Sequence, residues 1–261
     1  MSSSTHSAEL EFALTLADIA DEISLARYRA LDLVITTKPD KSPVTDADKS
    51  VETAISSAIH GKYPNDGIVG EEFGAENPDA EFVWVLDPID GTKAFISGLP
   101  VWGTLIGLMR NGVPAYGMMH QPFTKERFFG DCGSATLRSP LGERSLHVRP
   151  CASLAEATLS NTSPQMFTGG DLDAFYRVEK SVRLTRYGCD CYAYCMVAAG
   201  HMDLVIESNL KPYDVVALIP IIEGAGGVIT NWQGGPAAAG GSIIAAGDKR
   251  VHEEAMKLLN R

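Results

Sequence analysis

The stretch that decides the fold is Trp84-Val85-Leu86-Asp87-Pro88-Ile89-Asp90-Gly91-Thr92. An apolar run typical of a buried strand ends in Asp87, and a second acid, Asp90, follows three residues later. Pro88 stiffens the turn expected between them, so that both carboxylates and the Ile89 carbonyl can be directed at one point. Oxygen atoms of this kind are the ligands that Mg²⁺ prefers. The stretch therefore predicts a magnesium site.

The same stretch also predicts an anion site. A helix that begins after Asp90 leaves the backbone N–H groups of Gly91 and Thr92 without partners inside the helix. Helix N-termini bind phosphate for this reason. An isolated pair of acids is more often a capped turn with solvated carboxylates, but the complete string favours a metal and a phosphate side by side.

Three further acidic groups can join this site. Glu71-Glu72 follow a predicted strand over residues 67–70, Asp46-Ala47-Asp48 lead into a predicted helix over residues 47–62, and Tyr213-Asp214 precede another over residues 215–223. Taken alone, each group is typical of a helix cap or an exposed loop. Asp46 or Thr45 is the expected cap of the helix over residues 47–62.

Hydrophobic periodicity predicts the remaining elements. Helices are expected over residues 9–32, 171–179, 190–199 and 249–260, and a loop over residues 38–43. Strands are expected over residues 82–86, in a meander over 104–109, 115–119 and 126–129, and later over 157–160, 181–186, 202–206, 228–230 and 242–246. The pattern changes near Pro150 and indicates two halves, residues 1–145 with a mostly antiparallel sheet and residues 146–261 of α/β type.

Composition excludes several classes of protein. The 261 residues carry a net charge of −11 without a cluster of Lys and Arg, so we expect no nucleic-acid partner. No apolar run is long enough to span a bilayer, so we expect no membrane partner. Five cysteines are an odd number and do not suit a disulfide framework; we expect a cytoplasmic protein. The six histidines form no zinc-binding pair.

The motif WVLDPIDGT at 84–92 resembles the inositol-monophosphatase family of Mg²⁺-dependent, lithium-sensitive phosphatases. SPVTDAD at 42–48 and GEE at 70–72 precede it, and PYD at 212–214 and EGAGG at 223–227 follow it, in the order found in that family. The resemblance implies an α/β (α+β layered) fold, the five-layer αβαβα sugar-phosphatase fold. It also implies two or three Mg²⁺ ions, a small phosphorylated metabolite as substrate, and a homodimer.

The resemblance further implies a role for each motif residue. The metal ligands would be Glu71, Asp87, the Ile89 carbonyl, Asp90 and Asp214. The catalytic residues would be Asp48, Glu71 and Thr92, which position the attacking water and help to deprotonate it. Gly91 and Thr92 would bind the phosphate. We expect in-line attack by water without a phosphoenzyme.

Two other segments point to a substrate. GCDCYAY at 188–194 and ESNLKPYD at 207–214, with the long match at 87–106, are similar to the histidinol-phosphate phosphatases of this family, which act in histidine biosynthesis. On this resemblance Asp190 and Glu207 would bind the amino and imidazole groups of histidinol. The alternative is that Asp190 is a helix cap and Glu207 a surface acid.

Other functions remain as alternatives. Inositol phosphatases usually have Thr-Asn-Phe where this chain has Lys93-Ala94-Phe95, which weakens inositol phosphate as the substrate. For a 3′-phosphoadenosine-5′-phosphate phosphatase of the same superfamily, Lys93 and Arg186 would bind the second phosphate. A non-catalytic protein that binds metal or phosphate is a remote alternative. A dinucleotide fold and a serine hydrolase are excluded, because neither G-x-G-x-x-G after a strand nor G-x-S-x-G occurs.

Overall fold

The computed structural model describes residues 5–38 and 43–261. The helices of this part of the chain are α1 (Thr5–Arg27), α2 (Asp46–Lys62), α3 (Thr92–Ile96), α4 (Gly170–Glu179), α5 (Asp190–Ala198), α6 (Pro212–Val215), α7 (Leu218–Gly224) and α8 (Lys249–Leu259). The strands are β1 (Ile35–Thr37), β2 (Pro43–Thr45), β3 (Gly67–Gly70), β4 (Gly74–Glu76), β5 (Phe82–Asp90), β6 (Gly103–Arg110), β7 (Val113–Gln121), β8 (Glu126–Gly130), β9 (Ala135–Ser139), β10 (Gly142–Ser145), β11 (Thr158–Asn161), β12 (Leu184–Tyr187), β13 (Leu204–Leu210), β14 (Val228–Asn231) and β15 (Gly241–Ala246).

Two large sheets organise these elements. Among the described residues, an eight-stranded sheet has the order β10-β9-β8-β7-β6-β5-β3-β4, and a five-stranded sheet has the order β12-β11-β13-β15-β14. In the first sheet only β3 and β5 are parallel, and the meander β6-β7-β8 is antiparallel as predicted. Its first turn is Asn111-Gly112, both with positive φ, the residue pair that a tight hairpin favours.

Alternating side chains divide the apolar core among layers. Along the eight-stranded sheet, Ile106 and Met118 face the core formed with α1 and α2, whereas Leu105 and Met119 face the core formed with α5 and α7. In the five-stranded sheet the odd-numbered residues of β15 face that same central core, and the even-numbered ones face a core with α4 and α8. Successive strand side chains point to opposite faces, so two sheets separate three helical layers. The predicted five-layer αβαβα fold is confirmed.

Several predicted boundaries were wrong. Helix α1 ends at Arg27 instead of residue 32, where the chain turns and Arg29 takes a positive φ of 62°. The helix predicted over residues 215–223 is two helices, α6 and α7. Pro220 has no N–H to donate to the carbonyl four residues earlier and its ring crowds that carbonyl, which accounts for the break near Val216.

Another wrong boundary concerns Glu207. It was expected after a strand over residues 202–206, but β13 runs from Leu204 to Leu210 and Glu207 lies within it, paired with Ile243 of β15. The antiparallel ladder with β15 extends the strand. Most of the loop predicted over residues 38–43 lies outside the described residues, and its last residue, Pro43, begins β2, which pairs with β1.

The two sheets are sequential in the chain. The first ends with Ser145 and the second begins with Thr158. Helix α7, from the second part of the chain, packs against β7 and β8 of the first sheet as well as β14 of the second. The division at residue 145 therefore stays a prediction. No helix in the described ranges is long and apolar enough to cross a membrane.

Candidate active site

A β-bulge directs Asp87 and Asp90 to one point. The stretch was expected to leave its strand at Asp87, but β5 continues to Asp90. Asp87 is opposite Leu105 of β6 and Asp90 is opposite Gly103, so β5 has one residue more than its partner between these pairs. Residues three apart in a regular strand point to opposite faces, and one extra residue brings them to the same face. Pro88, which cannot donate to the ladder, lies in this bulge.

Asp214 completes an acidic cluster. Its side chain projects from α6, which packs on β5, and accepts a hydrogen bond from the Lys211 N–H at 2.6 Å. One carboxylate oxygen from each of Asp87, Asp90 and Asp214 lies within 4.8 Å of the others. These are hard oxygen donors at a spacing that a divalent cation can span.

Glu71 adjoins this cluster on the side of Asp87. The Glu71 N–H donates to the Leu86 carbonyl at 3.2 Å, which places the end of β3 beside the end of β5. The Lys38 ammonium group lies 2.8 Å from Glu71 and 2.6 Å from Glu72. Lys38 thus neutralises carboxylates at the edge of the cluster.

Asp48 and Thr92 meet at the start of two helices. Asp48 is buried in the first turn of α2, where its Oδ2 accepts hydrogen bonds from the N–H and hydroxyl of Thr45. Thr45 is the N-cap, one of the two residues predicted for that position. The Thr92 hydroxyl lies 3.4 Å from Oδ1 of Asp48 and 3.2 Å from the Ile89 carbonyl oxygen. The Thr92 hydroxyl therefore contacts both Asp48, predicted to position the attacking water, and the Ile89 carbonyl, a predicted metal ligand.

Gly91 allows the chain to turn from β5 into α3. It has φ 80° and precedes Thr92, the first residue of the helix. A Cβ at position 91 would lie 3.1 Å from Cβ and Cγ of Asp190. A side chain is disfavoured both by the positive φ and by this contact. Gly91 thus brings the start of α3 close to Asp190.

The carboxyl groups of the cluster resist ionisation. Burial raises the pKa of Asp48 to about 6 and that of Asp214 to about 7. Burial, followed by the charges of neighbouring acids, holds the pKa values of Asp87 and Asp90 well above the ordinary range. Several carboxylates in one pocket repel each other, and a bound cation relieves that repulsion. The donor set and its charge therefore fit a hard divalent cation.

A cavity of about 130 Å³ opens beside the cluster. Asp90 and Asp214 form the wall nearest the predicted metal site. Asp190 and Glu207 supply two more carboxyl groups, and the other lining residues are Thr162, Met166, Cys191, Tyr194 and Leu210. The structure thus brings both predicted substrate-binding acids to the cluster.

Glu207 and Asp190 differ in how they are held. Glu207 is buried and accepts hydrogen bonds from Thr162 N–H at 3.1 Å, the Thr162 hydroxyl at 2.5 Å and the Tyr194 hydroxyl at 2.9 Å. Burial outweighs these donors and raises the pKa of Glu207 to about 7. Asp190 begins α5 with a positive φ of 45°. Burial raises its pKa to about 6, although the charge of Lys93 opposes the rise.

Lys93 and Arg186 do not line this cavity. Both side chains are exposed, Lys93 in α3 and Arg186 in the edge strand β12. Lys93 is near enough to Asp190 for its charge to affect the carboxyl group. The role of these two residues in substrate binding stays a prediction.

Several supporting residues were not predicted. Glu52, which is buried, accepts hydrogen bonds from the N–H groups of Glu72 at 2.8 Å and Phe73 at 3.0 Å, and so holds the segment that carries Glu71. It lies four residues after Asp48, a spacing that places both acids on one helix face. This spacing could have indicated from the sequence that Glu52 faces the site. No comparable spacing in the sequence indicated a supporting role for Lys38 or Tyr194.

The chain matches known proteins over nearly its whole length. The model of the inositol monophosphatase family matches residues 6–261. The chain is 44% identical to the bifunctional phosphatase IMPL2, chloroplastic, of Arabidopsis thaliana, over 94% of this chain and 72% of that protein. It is 39% identical to a histidinol-phosphatase of Mycobacterium tuberculosis, over 97% and 98%. A solved inositol monophosphatase from Zymomonas mobilis superposes with a TM-score of 0.89 and 40% identity, over 99% and 100%.

Proposed function

This chain belongs to the inositol monophosphatase family and is a phosphatase, and we propose that it is a Mg²⁺-dependent phosphomonoesterase that hydrolyses histidinol phosphate to histidinol and phosphate. The observation that carries this substrate is the pair of carboxyl groups, buried Glu207 and half-buried Asp190, in a cavity that adjoins the acidic cluster. An alcohol that bears two cationic groups fits such a pair.

The acidic cluster would hold Mg²⁺. Asp87, Asp90 and Asp214 supply oxygens within 4.8 Å of one another, Glu71 lies beside Asp87, and the Ile89 carbonyl would complete the donor set. Mg²⁺ when bound lowers the pKa of a coordinated water and neutralises charge on phosphoryl oxygens. These five oxygen-bearing groups would hold two or three ions.

The protein groups around the phosphate have separate tasks. The free N–H groups of Gly91 and Thr92 at the start of α3 would bind phosphate oxygens. The Thr92 hydroxyl and Glu71 would orient the attacking water. Its proton would pass through Thr92 towards Oδ1 of Asp48, which lies 3.4 Å from the hydroxyl. A new P–O bond then forms as the ester P–O bond breaks. Solvent ¹⁸O in the phosphate product supports this attack, and ¹⁸O in histidinol would overturn it.

The leaving group would occupy the adjoining cavity. Glu207 at its base would bind the imidazole, and Asp190 at the start of α5 would bind the amino group through charge-assisted hydrogen bonds. Both acids lie within the site, which supports their assignment. The relatives named histidinol-phosphatase, at 38–39% identity, favour the same substrate.

Inositol 1-phosphate is the second candidate substrate. Its support is the solved inositol monophosphatase that is 40% identical to this chain. The acids Asp190 and Glu207 argue against a strong preference, because inositol has no cationic group. A 3′-phosphoadenosine 5′-phosphate substrate would need basic residues for its second phosphate. Lys93 and Arg186, the predicted ones, do not line the cavity, which argues against this substrate.

A substrate panel tests the proposal. Phosphate release would be measured with Mg²⁺ from L-histidinol phosphate, inositol 1-phosphate, 3′-phosphoadenosine 5′-phosphate and fructose 1,6-bisphosphate, each repeated with EDTA. We expect a strong preference for histidinol phosphate that EDTA abolishes. A preference for another ester would overturn the substrate and keep the metal site. Release that is unaffected by EDTA would overturn the metal site.

We also propose that the protein is a homodimer and lies in the cytoplasm. The homodimer is proposed because of the family resemblance. Static light scattering at micromolar concentration tests it, and a mass that corresponds only to the monomer would overturn it. The Arabidopsis relative is named as chloroplastic. A fluorescent fusion or cell fractionation would distinguish the two locations.

A further inference from the structure

One wall of the leaving-group cavity is apolar. Met166 and Leu210 line the cavity, in addition to the polar groups that belong to the proposed function. Met166 also packs against the core between the five-stranded sheet and helices α4 and α8. Leu210 packs against the central core between the two sheets. The lining of the cavity therefore combines carboxyl groups with apolar side chains.

Met166 is held from two directions. The side-chain amide of Asn161, at the end of β11, donates to the Met166 sulfur at 3.1 Å and to the Ile206 carbonyl at 2.8 Å. The side-chain amide of Asn209, in β13, donates to the Met166 carbonyl. Asn209 has a positive φ of 63°, beside the irregularity in the β13–β15 ladder. Two strands thus position a residue type that is usually mobile.

The next residue strengthens this position. Phe167 is buried and stacks on Phe175 at 4.6 Å and on Trp232 at 5.8 Å between ring centroids. The short turn at Pro164–Met166 is therefore anchored to the core on its C-terminal side. Met166 presents a fixed surface to the cavity, which a side chain with three free torsions would not do by itself.

We infer that Met166, with Leu210, receives the flat face of an aromatic ring in the leaving group and so selects heteroaromatic cations over polyols. This inference rests on the proposed function. A thioether against a ring edge or face is a favourable contact. The amide N–H groups nearest this wall, those of Asn161 and Asn209, already donate to Met166 and Ile206. A hydroxyl pressed against the thioether and methyl groups of Met166 and Leu210 would lose hydrogen bonds to water and find no strong partner on these two side chains.

Kinetics of three variants test the inference. Met166→Ala removes the wall, Met166→Leu retains an apolar surface, and Met256→Ala is a matched control, since Met256 packs against the same core cluster from α8. For Met166→Ala we expect KM for L-histidinol phosphate to rise about tenfold with kcat nearly unchanged. A change of this size corresponds to the loss of one sulfur–ring contact together with the apolar burial of the ring. For glycerol 2-phosphate, which has no ring, KM should change less than about twofold, within the additive range of distant effects.

The two controls separate packing from recognition. Met166→Leu should restore KM for histidinol phosphate to within about threefold of the wild type, as for volume-conserving swaps. Met256→Ala should lower stability without changing the ratio of the two substrates. An equal loss for both substrates in Met166→Ala, or an unchanged KM for histidinol phosphate, would overturn the role of Met166. A wild-type protein that does not hydrolyse histidinol phosphate would overturn the proposed substrate and this inference together.

Discussion

The backbone N–H of Cys191 donates to Oδ2 of Asp90 at 2.7 Å, although the two residues are 101 positions apart. Cys191 lies in the first turn of α5, and Asp90 is the last residue of β5. The contact joins the second part of the chain to the acidic cluster of the first. It also places Asp190, which precedes Cys191, at the edge of the leaving-group cavity. The start of α5 therefore joins the acidic cluster to the proposed leaving-group cavity.

Asp87→Asn tests the metal cluster. The substitution removes one buried charge with little change of shape, so we expect Mg²⁺-dependent kcat/KM to fall by at least about a hundredfold, the scale of losing one electrostatic group. In EDTA the thermal midpoint should stay the same or rise, because repulsion among the acids decreases. Phosphate release and circular dichroism melts measure the two effects. Asp79→Asn, at an exposed acid, is the control, and unchanged activity in Asp87→Asn would show that the metal site is misplaced.

Stability without metal should fall as pH rises from about 4 to about 7. The pKa values of Asp48, Asp214 and Glu207 lie at about 6, 7 and 7, whereas such groups titrate near about 4 in an unfolded chain. Between these limits the folded state binds more protons than the unfolded state. The free energy of unfolding therefore decreases with pH until the carboxyls have ionised.

Mg²⁺ should counteract this loss, because it binds the ionised carboxyls. We expect a larger Mg²⁺-induced rise in thermal midpoint at pH 8 than at pH 5, measured in parallel with EDTA-treated protein. Equal shifts at the two pH values would contradict the cluster as the cation site. Na⁺ at matched ionic strength serves as the control for screening.

Tyr194→Phe should change how Glu207 titrates. The Tyr194 hydroxyl donates to Oε2 of Glu207 at 2.9 Å, and this bond stabilises the ionised form. Its loss should raise the pKa of Glu207 above about 7 by about one unit, as for one hydrogen bond to a charged group. The acidic limb of kcat/KM for histidinol phosphate should then move to higher pH, while that for glycerol 2-phosphate stays in place. A shift for both substrates would assign the effect to the metal site instead.

Glu52→Gln tests the support beneath Glu71. The Glu52 carboxylate accepts two backbone N–H groups, and an amide would turn a donor towards one of them. We expect a loss of about 1–3 kcal/mol in the free energy of unfolding, the cost of one unsatisfied buried group. The Mg²⁺ concentration for half-maximal activity should rise as Glu71 loses its position. Glu81→Gln, at an exposed side chain, should change neither urea unfolding nor Mg²⁺ dependence.

Sequence patterns alone predicted much of the molecule. The meander after Gly103 follows from alternating apolar residues and the Asn111-Gly112 turn, because hairpin geometry is local. The five-layer fold came from the resemblance of ordered motifs. Helix ends were less predictable: Arg29 and Pro220 ended or divided helices through backbone conformation and steric crowding, which apolar periodicity does not report.

The sequence by itself determined which residues could bind a cation and phosphate, since carboxylates near a strand end and glycine before a helix have chemistry that does not depend on distant contacts. Only the tertiary structure decided where they meet. The bulge at Pro88 turns Asp90 to the face of Asp87, α6 brings in Asp214, and β13 carries Glu207 to Tyr194 and Thr162. These contacts join residues far apart in the chain, and they depend on how two sheets and the helices between them pack, which no local pattern encodes.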